Sequence, residues 1–182
     1  LTSGFGVGVQ MQGLNPDYTL ILIDGEPLTG RTSGVLDLNR VTTGNIKKIE
    51  IVKGPSSSLY GSEALAGVIN IITDKSYEKK LNIAARYGTY NSLDANITAA
   101  GRVGKAGINI FFNQYNTDGY SIRPFSVERS KLPVSRSTPQ LQFNYPFSNK
   151  TSFNLSLRYN YEHIKNELAV SNNGQVTYSN GR

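Results

Sequence analysis

Residues 59–73 read LYGSEALAGVINIIT and end in the apolar run GVINIIT. Two similar runs precede it, because residues 49–55 read IEIVKGP and residues 20–25 read LILIDG. Short, nearly continuous apolar runs bounded by glycine or proline are typical of buried strands. We therefore predict strands at 18–23, 49–52 and 67–73, and their pattern alone indicates a small α+β core.

Turn residues separate these strands. Asp24-Gly25 follows the first strand, and glycine tolerates the positive φ of a tight turn. Gly54-Pro55 ends the second strand, and proline is accepted in the first turn of a helix. The sequence thus predicts a short helix over 56–60 that Gly61 closes.

From about residue 80 onward the sequence alternates with period two. In the clearest case, Phe153, Leu155, Leu157, Tyr159 and Tyr161 share one face, and polar residues occupy the positions between them. Alternation of this kind is typical of strands with one apolar and one polar face. It predicts five strands, around 81–87, 93–99, 108–115, 141–145 and 153–161.

The alternation does not decide which face is inside. In a soluble β-sandwich the apolar face forms the core, whereas in a membrane barrel that face meets lipid. Two observations favour the barrel. Aromatic residues lie near strand ends, and the connections include short turns and a long segment over 117–137. On pattern alone both classes remain open.

Composition excludes several functions. The chain of 182 residues has 19 Lys+Arg and 13 Asp+Glu, giving a net charge of +6 without a dense basic run, so we expect no nucleic-acid binding. The absence of cysteine excludes disulfides and thiolate metal sites. No stretch approaches the roughly 18 apolar residues of a membrane helix.

The sequence also argues against an enzyme. The glycine-bounded segment 54–61 lacks the lysine of a phosphate-binding loop, and no Gly-x-Ser-x-Gly motif is present. His163 is the only histidine, which leaves little for a His-dependent catalytic triad. We expect no catalytic residues, no bound metal and no cofactor.

The three strings LILIDG, IEIVKGP and LYGSEALAGVINIIT, in this order and spacing, resemble the C-terminal part of the plug domain of TonB-dependent outer-membrane receptors. The match covers about residues 10–75, and alternating strands are what this family places next. The resemblance implies an α+β plug domain over 1–76, followed over 77–182 by antiparallel strands of a transmembrane β-barrel. Both would be incomplete, with more of the plug before Leu1 and most of the barrel after Arg182.

The resemblance also implies roles for individual residues. The loop after the first strand would reach the apex of the plug and contact ligand, which makes Arg31, Thr32, Ser33 and Gly34 candidate binding residues. Glu50 and Lys53 would contribute to ion pairs between plug and barrel wall. The family motif itself falls on Asp24, Gly25, Gly54, Pro55, Tyr60, Gly61 and Gly67.

The function implied is capture of a scarce nutrient of the iron-siderophore, haem or cobalamin class, and its import across the outer membrane. The implied partners are TonB, reached through a segment not present here, the nutrient ligand and outer-membrane lipid. Three alternatives stay open: a soluble β-rich binding or adhesion module, a glycan importer, and a signalling member of the family. Strand parity would place the turns at 102–106 and 148–150 in the periplasm and segment 117–137 outside the cell.

Overall fold

The computed structural model describes residues 2–3, 6–28, 38, 41–54, 60–121, 131–165, 167–172 and 175–180. It divides the chain into two compact units, Leu1–Lys75 and Ser76–Arg182. Within the described residues, no helix is long and apolar enough to cross a membrane.

The first unit is built on a four-stranded sheet. The strands of this unit are β1 (Thr2–Ser3), β2 (Gly6–Val7), β3 (Thr19–Ile23), β4 (Glu26–Pro27), β5 (Ile46–Lys53) and β6 (Gly67–Thr73), of which β1 and β2 form a separate two-stranded sheet. The sheet has the order β4-β3-β6-β5, in which β3 and β6 are parallel and the other pairs are antiparallel. The three predicted strands are confirmed, and the second begins earlier than predicted, at Ile46.

The core of this unit surrounds β3, which is buried at every residue. Ile21 and Ile23 pack on one side of the sheet in a cluster with Met11, Ile69 and Ile71. Leu20 and Leu22 point to the other side, where they meet Ala64 and Val68. Burial of each such side chain stabilises the fold by about 1.5–3 kcal/mol, so β3 and its neighbour β6 provide most of the core.

The second unit is an antiparallel sheet followed by a separate hairpin. Its strands are β7 (Lys80–Gly88), β8 (Ser92–Val103), β9 (Ala106–Thr117), β10 (Val134–Ser148), β11 (Thr151–Arg158), β12 (Tyr161–Ile164), β13 (Glu167–Asn172) and β14 (Gln175–Asn180). The main sheet has the order β11-β10-β9-β8-β7, and β12 also pairs with β10. Each neighbour in this order is therefore also a neighbour in sequence.

On β8, β9 and β10 the polar face of this sheet is the buried one, whereas β7 and β11 are exposed on both faces. The buried side chains of the polar face are Asn96, Thr98, Asn109, Asn113, Arg136, Thr138, Gln140 and Gln142, each less than 9% exposed. On the same three strands the apolar face is open to the surroundings: Ile110 is 49% exposed, Phe112 40% and Ile97 39%. A soluble sandwich buries the apolar face of its strands, so the observed distribution is the reverse of that fold.

Phe111 departs from this alternation. It lies on the polar face, where it is 2% exposed, between Thr98 of β8 and Gln140 of β10. The alternation of Ile108, Ile110 and Phe112 with Asn109 and Asn113 already places position 111 on the polar face, although its side chain is apolar.

Two expectations need correction. The strand predicted over 153–161 is interrupted, because β11 ends at Arg158 and β12 begins at Tyr161. Pro139 of β10 lies opposite the gap: its carbonyl accepts a hydrogen bond from the Tyr159 N–H at 3.1 Å, but proline has no N–H to return. The long connection is also shorter than predicted, because β10 already begins at Val134. Of the helix predicted over 56–60, residues 56–59 lie outside the described part of the chain.

Candidate functional site

The motif residue Asp24 fastens the end of β3 to the end of β6. Its carboxylate accepts hydrogen bonds from the Thr73 N–H at 2.9 Å and the Thr73 hydroxyl at 2.7 Å. The Asp24 N–H donates to the Ile71 carbonyl at 2.9 Å, and the Lys75 ammonium lies 3.6 Å from the carboxylate. The Asp24 side chain is only 10% exposed, so these charge-assisted contacts are partly protected from water. We call this arrangement the Asp24 clamp.

The turn Asp24-Gly25 joins β3 to β4 as a two-residue hairpin. Both residues have positive φ, 56° and 88°, as a type I′ turn requires. The Gly25 N–H donates to the Asn70 side-chain oxygen at 3.0 Å. Asn70 also donates to the Glu50 carboxylate at 3.4 Å, so one amide side chain of β6 connects the hairpin turn with β5.

Gly67 begins β6 at a point of close approach. A Cβ atom there would lie 2.3 Å from the Val52 carbonyl oxygen and 2.8 Å from the Met11 methyl carbon. The φ of Gly67 is also 146°, which side-chain-bearing residues rarely adopt. The motif therefore needs glycine at this position for packing against β5.

The remaining motif residues, among them Gly54 and Gly61, lie in the connection between β5 and β6. The Gly54 N–H donates to the Ala66 carbonyl at 3.2 Å, and the Gly61 carbonyl accepts from the Ala64 N–H at 3.2 Å. Tyr60 precedes this turn and is 46% exposed. Pro55 lies outside the described residues. The described motif residues share turn and strand-end positions of the four-stranded sheet.

Glu50 and Lys53 lie on the exposed strand β5. The Glu50 carboxylate pairs with the Lys48 ammonium at 2.5 Å, since residues two apart on a strand share a face. This hydrogen bond and the Lys48 charge lower the pKa of Glu50 below its ordinary value. The sequence did not single out Lys48, although its place two residues before Glu50 was a visible signal.

Arg31, Thr32, Ser33 and Gly34 all lie outside the described residues, so their role in ligand contact stays a prediction. No group of three or more His, Cys, Asp or Glu side chains is placed to hold a metal ion anywhere in the described ranges.

A row of charged residues crosses the polar face of the second unit. Arg86 lies opposite Asp94, and Asp94 lies opposite Tyr115 on the next strand. Tyr115 lies opposite Arg136, which in turn lies opposite Glu162. We call these five residues the charged row. Sequence reasoning missed it, because only the register of the strands brings the five residues into line.

The ion pairs of the charged row differ in burial. Arg136 and Glu162 are 9% and 13% exposed; the Arg136 Nε donates to the Glu162 carboxylate at 2.8 Å, and one terminal guanidinium nitrogen makes a second, shorter contact. Arg86 is 70% exposed and lies 3.3 Å from the Asp94 carboxylate. Asp94 also accepts from the Asn113 amide at 2.7 Å. The buried pair holds β10 to β12, where the strand ladder resumes after its interruption.

Lys131 adds a further cation at the centre of this row. Its ammonium donates to the Tyr115 hydroxyl at 3.0 Å and lies 5.3 Å from the centre of that ring. In the described part of the chain its contact is thus a neutral phenol rather than a carboxylate. Its positive charge remains available to an anion.

The apolar face ends in a polar patch at the level of the charged row along the strands. Gln114, Asn116, Ser135 and Ser137 form side-chain hydrogen bonds of 2.5–3.2 Å with one another. They occupy the outward positions that follow Ile110 and Phe112 on β9 and precede Pro139 on β10. The exposed apolar surface is therefore a band with a defined edge.

Comparison with known proteins connects these features to a family. The sequence model described as TonB-dependent Receptor Plug Domain matches residues 2–68. A vitamin B12 transporter, BtuB, of Vibrio cholerae serotype O1 is 33% identical over 116 residues, which cover 63% of this chain and 19% of that protein. The BtuB of Vibrio vulnificus is 29% identical over 157 residues, covering 82% of this chain and 25% of that protein. The chain thus spans about a fifth to a quarter of the length of these curated relatives.

Solved structures share the fold. The ferric enterobactin receptor PfeA of Pseudomonas aeruginosa has a TM-score of 0.62 at 18% identity, over 82% of this chain and 26% of that one. The ferric yersiniabactin uptake receptor FyuA of Yersinia pestis has a TM-score of 0.61 at 18% identity, over 90% of this chain and 26% of that one. Residues 2–68 therefore match the plug domain of the TonB-dependent receptors, and the second unit has antiparallel strands that resemble those of the family's barrels.

Proposed function

We propose that this chain is part of an outer-membrane receptor that binds a scarce nutrient and imports it with energy transmitted by TonB. One observation carries the proposal: the strands β8, β9 and β10 of the second unit bury their polar face and expose their apolar face. In water that distribution is unfavourable, because apolar surface exposed to water raises the free energy of the folded state. In a lipid bilayer the apolar face contacts acyl chains instead of water, as in transmembrane barrels, so this cost is removed.

The dimensions of the exposed band support this reading. The outward positions from Phe153 on β11 to Tyr161 at the start of β12 are exposed throughout, and eight extended residue steps of about 3.3 Å span roughly 26 Å. At a strand tilt of about 40° this corresponds to about 20 Å of membrane thickness, close to the apolar band of about 25 Å in such barrels. Aromatic residues Phe147, Phe153 and Tyr161 lie near its ends.

The plug supplies the gate. Its small sheet is held by the Asp24 clamp and a compact core, so it can act as one body that blocks a pore until TonB pulls on it. Glu50 and Lys53 would form contacts between plug and barrel wall, in keeping with their exposure on β5. No chemical step is involved, and the receptor is a transporter rather than an enzyme.

The ligand class follows from the relatives and from charge. Among the proteins similar to this chain are transporters of vitamin B12 and receptors for ferric enterobactin and ferric yersiniabactin. We place the ligand in the iron-siderophore, haem or cobalamin class. Arg31, Thr32, Ser33 and Gly34 would contact it from the plug, and Lys131 would attract an anionic member of the class.

Uptake by cells tests the proposal. The complete receptor containing this chain is expressed in a Gram-negative host that lacks its own cobalamin and siderophore receptors. We expect uptake of labelled cobalamin, haem or a ferric siderophore, and its loss in a matched host without TonB. Uptake of oligosaccharides alone would assign the glycan class, and uptake independent of TonB would contradict the energised mechanism.

Labelling of the cell surface tests the topology. The parent segment has no cysteine, so single cysteines can be placed at Ser148, the last residue of β10, and at Ser126, outside the described residues. An impermeant thiol reagent on intact cells should label position 126 and leave 148 unlabelled. Labelling of 148 alone would invert the strand directions.

A further inference from the structure

The boundary between the two compact units falls between Lys75 and Ser76. Before this boundary the chain is fixed within the first unit. The Asp74 N–H donates to the Asn45 carbonyl at 2.8 Å, and the Lys75 ammonium lies 3.6 Å from the Asp24 carboxylate. The first unit therefore holds its own chain up to its last residue.

The second unit holds its chain from its first two residues onward. The Ser76 carbonyl accepts a hydrogen bond from the Asn109 amide at 2.9 Å, and Asn109 is 3% exposed. The ring of Tyr77 lies against Gly107, because a Cβ added to that glycine would be 2.6 Å and 2.8 Å from two ring carbons. Burial also raises the pKa of Tyr77 above its ordinary value. We call Ser76, Tyr77, Gly107 and Asn109 the Tyr77 anchor.

The Tyr77 anchor reaches past the nearest strands of the sheet. The chain that leaves Tyr77 enters β7 at Lys80, whereas Gly107 and Asn109 belong to β9. In the sheet, β8 lies between β7 and β9. Gly107 and Asn109 are two residues apart and share the buried polar face of β9. The start of the unit is thus attached to a strand two places away from the one that it enters.

This attachment changes how the sheet responds to a pull on residue 75. A pull on the free end of β7 would separate it from β8 one pair at a time, beginning with Lys80 and Ala100. The anchor transfers the pull to β9 instead. That strand pairs with β8 over residues 106–116 and with β10 over residues 107–117, so two ladders hold it. More hydrogen bonds therefore resist the pull at once.

We propose that the Tyr77 anchor receives the force that TonB applies to the plug and prevents this force from separating β7 from β8. The inference rests on the proposed TonB-driven transport, which supplies the force. Gly107 leaves room for the ring, and Asn109 fixes the carbonyl of Ser76. Both residues act by positioning the chain, so the plug can rearrange up to Lys75 while the strand pairing beyond it stays intact.

Force spectroscopy on the complete receptor in a lipid bilayer tests the proposal. The receptor is pulled from its N-terminus at constant force until the chain is extended to Lys75, as identified from a contour length of about 3.6 Å per residue. The lifetime of this state before β7 detaches is measured. Loss of one buried hydrogen bond in Asn109→Ala should shorten the lifetime roughly five-fold. The double variant Tyr77→Ala, Asn109→Ala also loses the ring contact and should shorten it roughly 25-fold.

Two further variants show whether the anchor itself is responsible. Tyr77→Phe keeps the ring over Gly107, so its lifetime should stay within about twofold of the parent. Tyr87→Ala removes a tyrosine that is 73% exposed at the other end of β7, and it is the matched control. Equal lifetimes for the parent and the double variant would overturn the proposal, as would an equally large loss in Tyr87→Ala.

A measurement in cells separates the response to force from ordinary stability. Cells with equal surface amounts of parent or double variant are tested for entry of vancomycin, a large antibiotic that an intact outer membrane excludes. The double variant should admit it several-fold faster than the parent in a host with TonB, and at the same rate in a host without TonB. Faster entry in both hosts would reduce the anchor to a contribution to folding, and no increase in either host would contradict its protective role.

The proposed function and the anchor can fail separately. Nutrient import that does not depend on TonB contradicts the proposed function, while the lifetimes at constant force still decide whether the anchor protects β7. TonB-dependent import combined with unchanged lifetimes in the double variant disproves the anchor and leaves the transport function intact.

Discussion

Replacement of Asp24 by alanine should open the end of the plug sheet. The change removes two hydrogen bonds to a carboxylate, from the Thr73 N–H and the Thr73 hydroxyl. Thr73 is 3% exposed, so water does not readily replace the lost acceptor. Hydrogen bonds to charged groups contribute about 1.5–3 kcal/mol each, and alanine at a φ of 56° adds strain.

From these contacts we expect a local destabilisation of about 3 kcal/mol, or roughly 100- to 200-fold faster amide exchange. Hydrogen exchange of the complete receptor in detergent, followed by mass spectrometry of the peptide covering 67–75, measures it. Asp24→Asn keeps an oxygen acceptor and a residue that tolerates positive φ, so its effect should be about five-fold. Glu26→Ala, an exposed change in the same hairpin, is the matched control.

Two results of this experiment would contradict the role given to the Asp24 clamp. If Asp24→Ala exchanges within twofold of the parent, the clamp does not stabilise the end of β6. If amide exchange in Asp24→Asn is as fast as in Asp24→Ala, the negative charge of Asp24 stabilises the clamp more than the turn geometry and the oxygen acceptor together.

Three further predictions concern other parts of the chain. Arg136→Ala leaves the carboxylate of Glu162 buried without its partner, so we expect a loss of about 3–5 kcal/mol in urea unfolding of the receptor; a loss below 1 kcal/mol would show that the pair is hydrated. Gly107→Ala places a Cβ 2.6 Å from the Tyr77 ring, so it should lower the melting temperature, and Tyr77→Ala in the same chain should restore part of it; no restoration would locate the strain elsewhere. The pKa of Glu50 is lowered in the folded state, so its ion pair stabilises the plug above the ordinary pKa and loses this effect as the pH falls through the lowered value. The difference in melting temperature between parent and Glu50→Gln should therefore shrink on acidification, and a difference that grows would reverse the sign.

Much of the fold follows from local pattern. The strands of both units lie close to where the apolar runs and the alternation predict them, because side-chain period and turn residues act over a few positions. Asp24-Gly25 was predicted as a turn for the same reason. The interruption after Arg158 was not predicted, since it depends on Pro139 of the neighbouring strand.

The contacts between residues far apart in the chain could not be predicted from the sequence. Asp24 and Thr73 are 49 positions apart, and only the parallel pairing of β3 and β6 brings them together. The charged row likewise depends on the register of five strand segments. A shift of one residue in any pair would move the side chains of that strand to the opposite face.

The choice between sandwich and barrel could not be made from alternation, because both folds produce the same sequence pattern. Only the burial of Asn109 and Gln142 against the exposure of Ile110 distinguishes them.

The connectivity of the two sheets differs, and the difference determines the order in which they can form. In the second unit every pairing from β7 to β11 joins strands that follow one another in sequence. Each hairpin can close as soon as its second strand exists, which takes about 1–10 µs for an isolated hairpin.

In the first unit the pair of β3 and β6 has no such route, because residues 24–66 lie between the two strands. Closing a loop of that length costs conformational entropy before β3 and β6 make any contact. The parallel pair therefore cannot form until the whole intervening segment is present. The four-stranded sheet is therefore completed only when the chain is available up to residue 73, although the hairpin of β3 and β4 can close earlier.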